Sequence, residues 1–245
     1  LPSMTMHPMT TNWADYKHAY GSATDAPAHL AALLNNDADH AEAIDYLFGT
    51  ITHQETLYPA TLPVLRCCIA QLPELANDAR DDVINWICWV GVIANRENSE
   101  IIQETDHVLN TFLAYDPLAS SSYAWVFHQW RNHTTVPATQ VRAQLEKCPT
   151  NPLTVAAYGA WGGDTTSHLN SEDLTMRIAA TWHNRSPEAT AILTEALIDP
   201  DLEDALEEFN SEIYISDLLD EFFHRNPTQA EIAALATSYA KSELL

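Results

Sequence analysis

Apolar residues recur at i, i+3, i+4 and i+7 along almost the whole chain, and this pattern leaves few folds open. Ile44, Leu47, Phe48 and Ile51 follow it, as do Ile101, Thr105, Val108 and Phe112 with Leu109 beside them. It returns at Ala189, Ile192, Leu193, Ala196 and Leu197, and again at Ile232, Leu235, Ala236 and Tyr239. Such spacing lays an apolar stripe along one side of a helix. Sustained period-two alternation, the mark of half-buried strands, is hard to find, so the sequence predicts an all-α protein.

The punctuation agrees. Thr24-Asp25-Ala26-Pro27, Ser186-Pro187 and Asn226-Pro227 join cap-like residues to an early proline, as helix starts do. Pro73, Pro117, Pro137, Pro149, Pro152 and Pro200 fall between periodic segments, and only six glycines occur, which suits short links between helices. The segments are about 10–16 residues long, close to the usual helix length, and roughly a dozen of them follow one another as consecutive hairpins. Residues 83–93, VINWICWVGVI, are apolar nearly all round and must be covered on several sides. A stacked array sandwiches its inner layer in this way, which suggests a solenoid of period about 35–45 residues. A compact orthogonal bundle is the competing architecture. Leu1-Pro2-Ser3 before Met4 reads as a cloning remnant, 1–20 as an N-terminal tail, and 21–245 as a single helical repeat domain. No apolar run approaches the roughly 18 residues of a membrane span, and no basic-then-apolar leader is seen, so a cytoplasmic protein is expected.

The formal net charge is −23, from 34 acids against 11 Lys and Arg. Phosphate contacts need cations, so direct nucleic-acid binding is disfavoured, and anionic membrane is disfavoured for the same reason. A basic protein partner is favoured, because complementary fields speed encounter; plain solubility is the alternative.

The acid is concentrated. Between residues 186 and 224 there are twelve Asp or Glu and no Lys or Arg. Around 211–224 the expected apolar stripe is Ile215, Leu218, Leu219, Phe222 and Phe223, with Asp217, Asp220 and Glu221 on the other side. Glu203, Asp204, Glu207 and Glu208 cluster at i, i+3 and i+4. Like charges so spaced cost a helix about 0.2–0.5 kcal/mol per pair, so stability gives no reason to gather them. Three accounts remain open: an ordinary solvated face, a docking surface for a basic partner formed by Asp201, Glu203, Asp204, Glu207, Glu208, Glu212, Asp217, Asp220 and Glu221, or, least favoured, capture of a metal ion.

Familiar catalytic patterns are missing. Cys67, Cys68, Cys88 and Cys148 lack C-x-x-C or framework spacing and read as reduced thiols on apolar helix faces. No H-E-x-x-H, EF-hand loop or G-x-S-x-G elbow occurs, and His128 and His133 are spaced wrongly for one helical face. Trp86, Trp89, Trp125, Trp130 and Trp182 lie in helical segments, where core packing is the first expectation, and Trp161 is expected to pack into the next hairpin. Base stacking would need interleaved Lys or Arg, and FHQWRNH carries only Arg131. Ser120, Ser121 and Ser122 suit a helix start or a turn, and WGGD at 161–164 suits a hinge or kinked loop. The HQETLY string, 53–58, places His53, Gln54, Thr56 and Tyr58 between two predicted helices, where they suit backbone groups left open at helix ends better than acid–base work. No catalytic residue, metal ligand or cofactor is expected.

Residues 32–72 also resemble a bacterial HEAT-repeat family. Its pattern A-x-x-x-L-(F/W)-G-x-I-x-H-Q-x-T-x-Y-x-A-T, followed by a proline-containing apolar helix, falls on Ala43, Leu47, Phe48, Gly49, Ile51, His53, Gln54, Thr56, Tyr58, Ala60, Thr61 and Pro63. Glu55 stands where the family often has Gly, which puts the turn in question. The resemblance implies a HEAT-like α-solenoid of consecutive helical hairpins with no catalytic apparatus. Some HEAT-like proteins of this size resemble immunity proteins of bacterial toxins. The expected function is therefore protein binding: an acidic immunity protein that occludes the basic active-site surface of a toxin such as a nuclease. A scaffold or adaptor in a multiprotein complex is the alternative. A HEAT-type enzyme such as a lyase or glycosylase comes third. No histidine is followed directly by glutamate, which departs from the HEAT-type di-iron hydroxylases.

Overall fold

A computed structural model describes residues 10–115, 120–210 and 213–242 of the 245-residue chain. The described residues form thirteen α-helices and two small antiparallel ladders of two-residue strands. The protein is mostly helical, and it divides into two compact units, Leu1–Gln140 and Val141–Leu245.

The first unit does not begin at residue 21. Within the segment that the sequence assigns to a tail, Trp13 is 4% exposed and His18 is 8% exposed. Strands β1 (Lys17–His18) and β2 (Gly21–Ser22) pair there, and their hairpin is hydrogen-bonded into the rest of the unit: Ala19 N–H donates to Thr50 O at 3.1 Å and Ala60 N–H to Lys17 O at 2.9 Å. Helices α1 (Ala26–Ala32) and α2 (Ala41–Tyr46) follow. A π-turn over Leu47–Ile51 then leads into β3 (Thr52–His53) and β4 (Thr56–Leu57). The two residues between these strands, Gln54 and Glu55, have φ of 46° and 58°. Positive φ at both central residues matches the right-handed twist of the flanking strands, and it is the demand that favours glycine. Glu55 therefore occupies a left-handed position, where the HEAT-type pattern often has Gly.

Helix α3 (Thr61–Ala70) leads to α4 (Asn77–Glu97), the long central rod of this unit. α4 buries Val83, Ile84, Trp86, Ile87, Val90, Ile93 and Ala94, against α2 on one side and α6 (Ser121–Gln129) on another. Its all-round apolar character thus has a packing cause. Gly91 sets the closeness of α6: a Cβ there would lie 2.7 Å from Trp130 Nε1, which donates to Ile87 O at 3.0 Å. α4 ends at Asn98 in the left-handed conformation, φ 50°. Helix α5 (Thr105–Ala114) buries Val108, Leu109 and Phe112, and it packs against α6.

The unit boundary falls inside α7 (Ala138–Leu145). The second unit continues with α8 (Pro152–Ala160), α9 (Leu174–Thr181), α10 (Pro187–Leu197), α11 (Leu202–Phe209), α12 (Ile215–His224) and α13 (Gln229–Ser242). Side-chain caps start several of these, and Thr228 Oγ1 accepts from Glu231 N–H at 3.2 Å ahead of α13. Asn151 Oδ1 accepts from Thr154 N–H at 2.9 Å, Asp173 Oδ1 from Thr175 N–H at 2.9 Å, and Ser186 Oγ from Ala189 N–H at 3.1 Å. The two glycines of WGGD end α8 rather than forming a hinge. Gly162, φ 79°, donates to Gly159 O at 3.0 Å and Gly163 donates to Tyr158 O at 2.9 Å, the paired bonds of a Schellman cap. α9 packs against α8, α10 and α11, while α12 and α13 both pack on α10.

The tryptophans divide by depth. Trp86, Trp125, Trp130 and Trp161 are buried, whereas Trp89 and Trp182 are half-buried. Cys67, Cys68 and Cys88 are buried, and burial pushes the Cys67 thiol up to about 12, so it is no nucleophile at neutral pH.

Candidate functional site

The acidic stretch rests on two short amphipathic helices. In α11 the buried residues are Leu202, Ala205, Leu206 and Phe209, a strict i, i+3, i+4, i+7 stripe. Burial of each large side chain contributes about 1.5–3 kcal/mol, so this stripe fixes which way the rest of the helix points. Glu203, Asp204, Glu207 and Glu208 are forced onto the opposite side, and all four are exposed. None makes an ion pair among the described residues. Glu203 and Asp204 lie in the first turn, where negative charge suits the helix dipole. Glu207 and Glu208 lie toward the C-terminal end, where it does not, and no basic residue accompanies them there. Asp201, exposed, precedes the helix, and its N–H donates to Asp199 Oδ1 at 2.9 Å.

In α12 the carboxylates have separate duties. Asp217 Oδ2 accepts from Tyr214 N–H at 2.7 Å, closing the first turn. Asp220 is exposed. Glu221 faces inward, its side chain 16% exposed, and it contacts both Arg185 and Arg225. These are the two arginines that bound the acid-only stretch. Arg225 is itself 1% exposed at the side chain. Its Nη1 donates to Asn184 O at 2.6 Å, and its Nη2 donates to the carbonyls of Thr181 and Trp182, so the guanidinium caps the C-terminal end of α9 while gripping Glu221 on α12. A planar cation with several donors suits both tasks. Burial, and next the charge of Arg185, pull the Arg225 guanidinium down to about 10, which still leaves it charged at neutral pH.

Glu221 is therefore a structural anchor rather than part of an open docking surface, and Asp217 is partly committed to a cap. Glu212 lies outside the described residues. The carboxylates left outward-facing are Asp201, Glu203, Asp204, Glu207, Glu208 and Asp220. Their natural counter-charges, Arg185 and Arg225, are spent on Glu221.

Apolar groups accompany them. Tyr214 is 64% exposed and Phe223 is 55% exposed, each three residues from an acid on α12, Asp217 and Asp220 respectively. Only Leu218 and Phe222 of the expected α12 stripe are buried. Phe223 sits at the margin of that stripe, in edge contact with the Phe222 ring, centroids 5.2 Å apart, and otherwise largely open to solvent. The sequence placed Phe223 in the buried stripe and gave no role to Tyr214, Arg185 or Arg225; an arginine on each flank of a cation-free stretch was the available signal.

The HQETLY segment is a packed hairpin. His53 Nδ1 donates to Gly49 O at 3.0 Å, and Tyr20 lies edge-on to its ring with centroids 5.4 Å apart. Thr56 Oγ1 bonds Gln54 O at 3.4 Å. Tyr58 contributes its backbone N–H, which donates to Thr61 Oγ1 at 2.9 Å, and Thr61 in turn donates to Ile51 O at 2.8 Å. Trp86 Nε1 reaches Thr52 Oγ1 at 3.3 Å and ties the hairpin to α4. These bonds fix backbone and bring no acid, base and nucleophile together. Among the described residues no three His, Cys, Asp or Glu side chains converge as a metal site, and no helix is long and apolar enough to cross a membrane. No family model, curated protein or solved structure matches the chain.

Proposed function

We propose that the chain is an acidic, HEAT-like α-solenoid that binds a basic protein, acting as a cytoplasmic immunity protein that occludes the cationic active-site surface of a toxin such as a nuclease. One observation carries the reading. Among the described residues α11 presents four exposed carboxylates with no counter-cation, and both arginines that bound this stretch pair with Glu221 instead. Self-repulsion of this kind is kept at a cost to the helix, and a partner of opposite charge relieves it. Exposed Tyr214 and Phe223 add aromatic surface of the kind that anchors protein interfaces.

The solenoid reading has its own support. Packing runs mostly between near neighbours in the chain: α1 with α2 and α3, α2 with α4, α9 with α10 and α11, α10 with α12, although α13 reaches back three helices to α10. Contacts to the next helix and the next but one are what a stack of hairpins produces. The resemblance of 32–72 to the HEAT-type pattern points the same way.

The test is capture of partners from the native cell by the full chain, beside a variant carrying Glu203→Gln, Asp204→Asn, Glu207→Gln and Glu208→Gln. The expected partner is basic, is recovered less well by the variant, and associates more slowly as salt rises. A partner that binds both forms equally removes the acidic helix from the interface. Recovery of several proteins as one assembly would favour the adaptor reading.

A further inference from the structure

Helix α13 is well formed in itself and barely attached to its surroundings. Thr228 N–H donates to Glu231 Oε2 at 3.0 Å and Glu231 N–H donates to Thr228 Oγ1 at 3.2 Å, so a reciprocal capping box starts the helix from within. Ala230, Ala233, Ala234, Ala236 and Ala240 are strong helix formers, and Lys241 in the last turn suits the dipole. Tertiary packing adds little. Ile232, Leu235, Ala236 and Tyr239 share one side at i, i+3, i+4 and i+7, yet Leu235 alone is buried, Ile232 is half-buried, and Ala236 and Tyr239 are exposed. Among the described residues no side-chain hydrogen bond or ion pair joins α13 to another element.

Its neighbours are held quite differently. α10, on which α13 packs, buries seven of its eleven residues. α12 is pinned to the end of α9 by Arg225, the residue that ends it. The chain then breaks helix at Asn226, φ 49°, and Pro227. The firmly clamped part of the unit therefore stops one residue before the link to α13.

We propose that α13 is a displaceable strap: in cis it occupies a site on α10 for an amphipathic helix, and its release opens that site to a helix of the same apolar spacing from a partner. This is helix-in-groove recognition, with the chain's own helix as the placeholder. Charge decides which outside helix competes best. α10 carries Glu188 and Glu195, both exposed, whereas α13 carries one acid, Glu231, and one base, Lys241. A helix with a basic polar face gains an attraction to α10 that α13 lacks. The strap is independent of the α11 carboxylates.

Hydrogen exchange on the full chain is the first test. The amides of α13 should exchange together, at least about a hundredfold faster than those of α10, because they open without the rest of the unit. A labelled peptide of residues 227–242 is the second. It should bind saturably to a Leu235→Asp chain, whose strap is released, and at least about tenfold more weakly to the parent chain, where the tethered helix competes at high effective concentration. The Leu235→Asp chain should keep the parent's urea midpoint. The peptide carrying Leu235→Asp should not bind. One carrying Ala233→Lys and Thr237→Lys, both at exposed positions of the docked helix, should bind at least about threefold more tightly at low salt, a gain lost at high salt. Exchange of α13 in step with α10, a lowered urea midpoint in the Leu235→Asp chain, no saturable binding, or equal binding to the two chains would each overturn the strap. Equal affinity of the plain and lysine-bearing peptides would overturn the basic-helix assignment.

Discussion

Replacing Arg225 with leucine should unfold the second unit far more readily than any other surface-distant change of one charge. The side chain is 1% exposed and serves Glu221 together with the carbonyls of Thr181, Trp182 and Asn184. Removing one partner of a buried pair typically costs about 3–5 kcal/mol, because the other charge stays buried. Here Glu221 keeps Arg185 and is 16% exposed, which lowers the figure; the orphaned carbonyls at the end of α9 raise it again, by about 1–3 kcal/mol for each group left without a partner or water. The expected net loss is about 3 kcal/mol, a fall of roughly 1–3 M in the urea midpoint at ordinary slopes. Urea titration followed by far-ultraviolet circular dichroism reads this directly. Arg185→Leu is the internal control: its side chain is 55% exposed, and it should cost under about 1 kcal/mol. Arg225→Lys should recover only part of the loss, since an ammonium keeps the charge but not the planar fork. If Arg225→Leu shifts the midpoint no more than Arg185→Leu, the guanidinium is not the clamp between α9 and α12.

Other perturbations test other parts of the molecule. Glu207→Gln with Glu208→Gln removes like charges from the wrong end of α11 and should raise stability by up to about 1 kcal/mol while slowing association with a basic partner; loss of stability would show that these carboxylates serve the fold. Burial lowers the pKa of His40, but the bond to Asn35 O at 2.7 Å and the Asp78 carboxylate 2.9 Å from its Nδ1 outweigh it and leave the pKa raised above 6.5. The resulting stabilisation is fully present below pH 6.5 and is lost as pH rises through the folded-state value. His40→Gln should therefore cost more at pH ~5.5 than at pH ~8, and equal urea shifts at the two would refute the assignment. At the β3–β4 turn, Glu55→Gly should lie within about 1 kcal/mol of the parent although it deletes an exposed ion pair with Arg96, whereas Glu55→Val should cost about 1–2 kcal/mol because a branched side chain resists positive φ. Equal melting of the Gly and Val variants would contradict the left-handed turn.

Local physics was written in the chain and could be read from it. The α10 stripe of Ala189, Ile192, Leu193, Ala196 and Leu197 is buried throughout, since a regular helix repeats its faces whatever surrounds it. The outward set of α11 followed from the same arithmetic, and caps such as Ser186 act within three residues of themselves. The same arithmetic marked Phe223 and Tyr239 as apolar-face residues, yet they are 55% and 38% exposed. Periodicity says which side of a helix is apolar; how many neighbours arrive to cover it depends on other helices. The short hairpins at β1–β2 and β3–β4 escaped notice because two-residue strands are too brief to show alternation.

Charge partnership was the least legible feature. Arg225 contacts carbonyls more than forty residues earlier in the chain, and Glu221 meets Arg185 across a similar gap. Sequence alone determined that this protein would be helical, acidic and concentrated in its acidity, because these follow from composition and short-range spacing. Tertiary structure alone decided which carboxylates anchor the fold and which face solvent, because that choice belongs to residues brought together only when α12 packs on α10 and carries Arg225 to the end of α9.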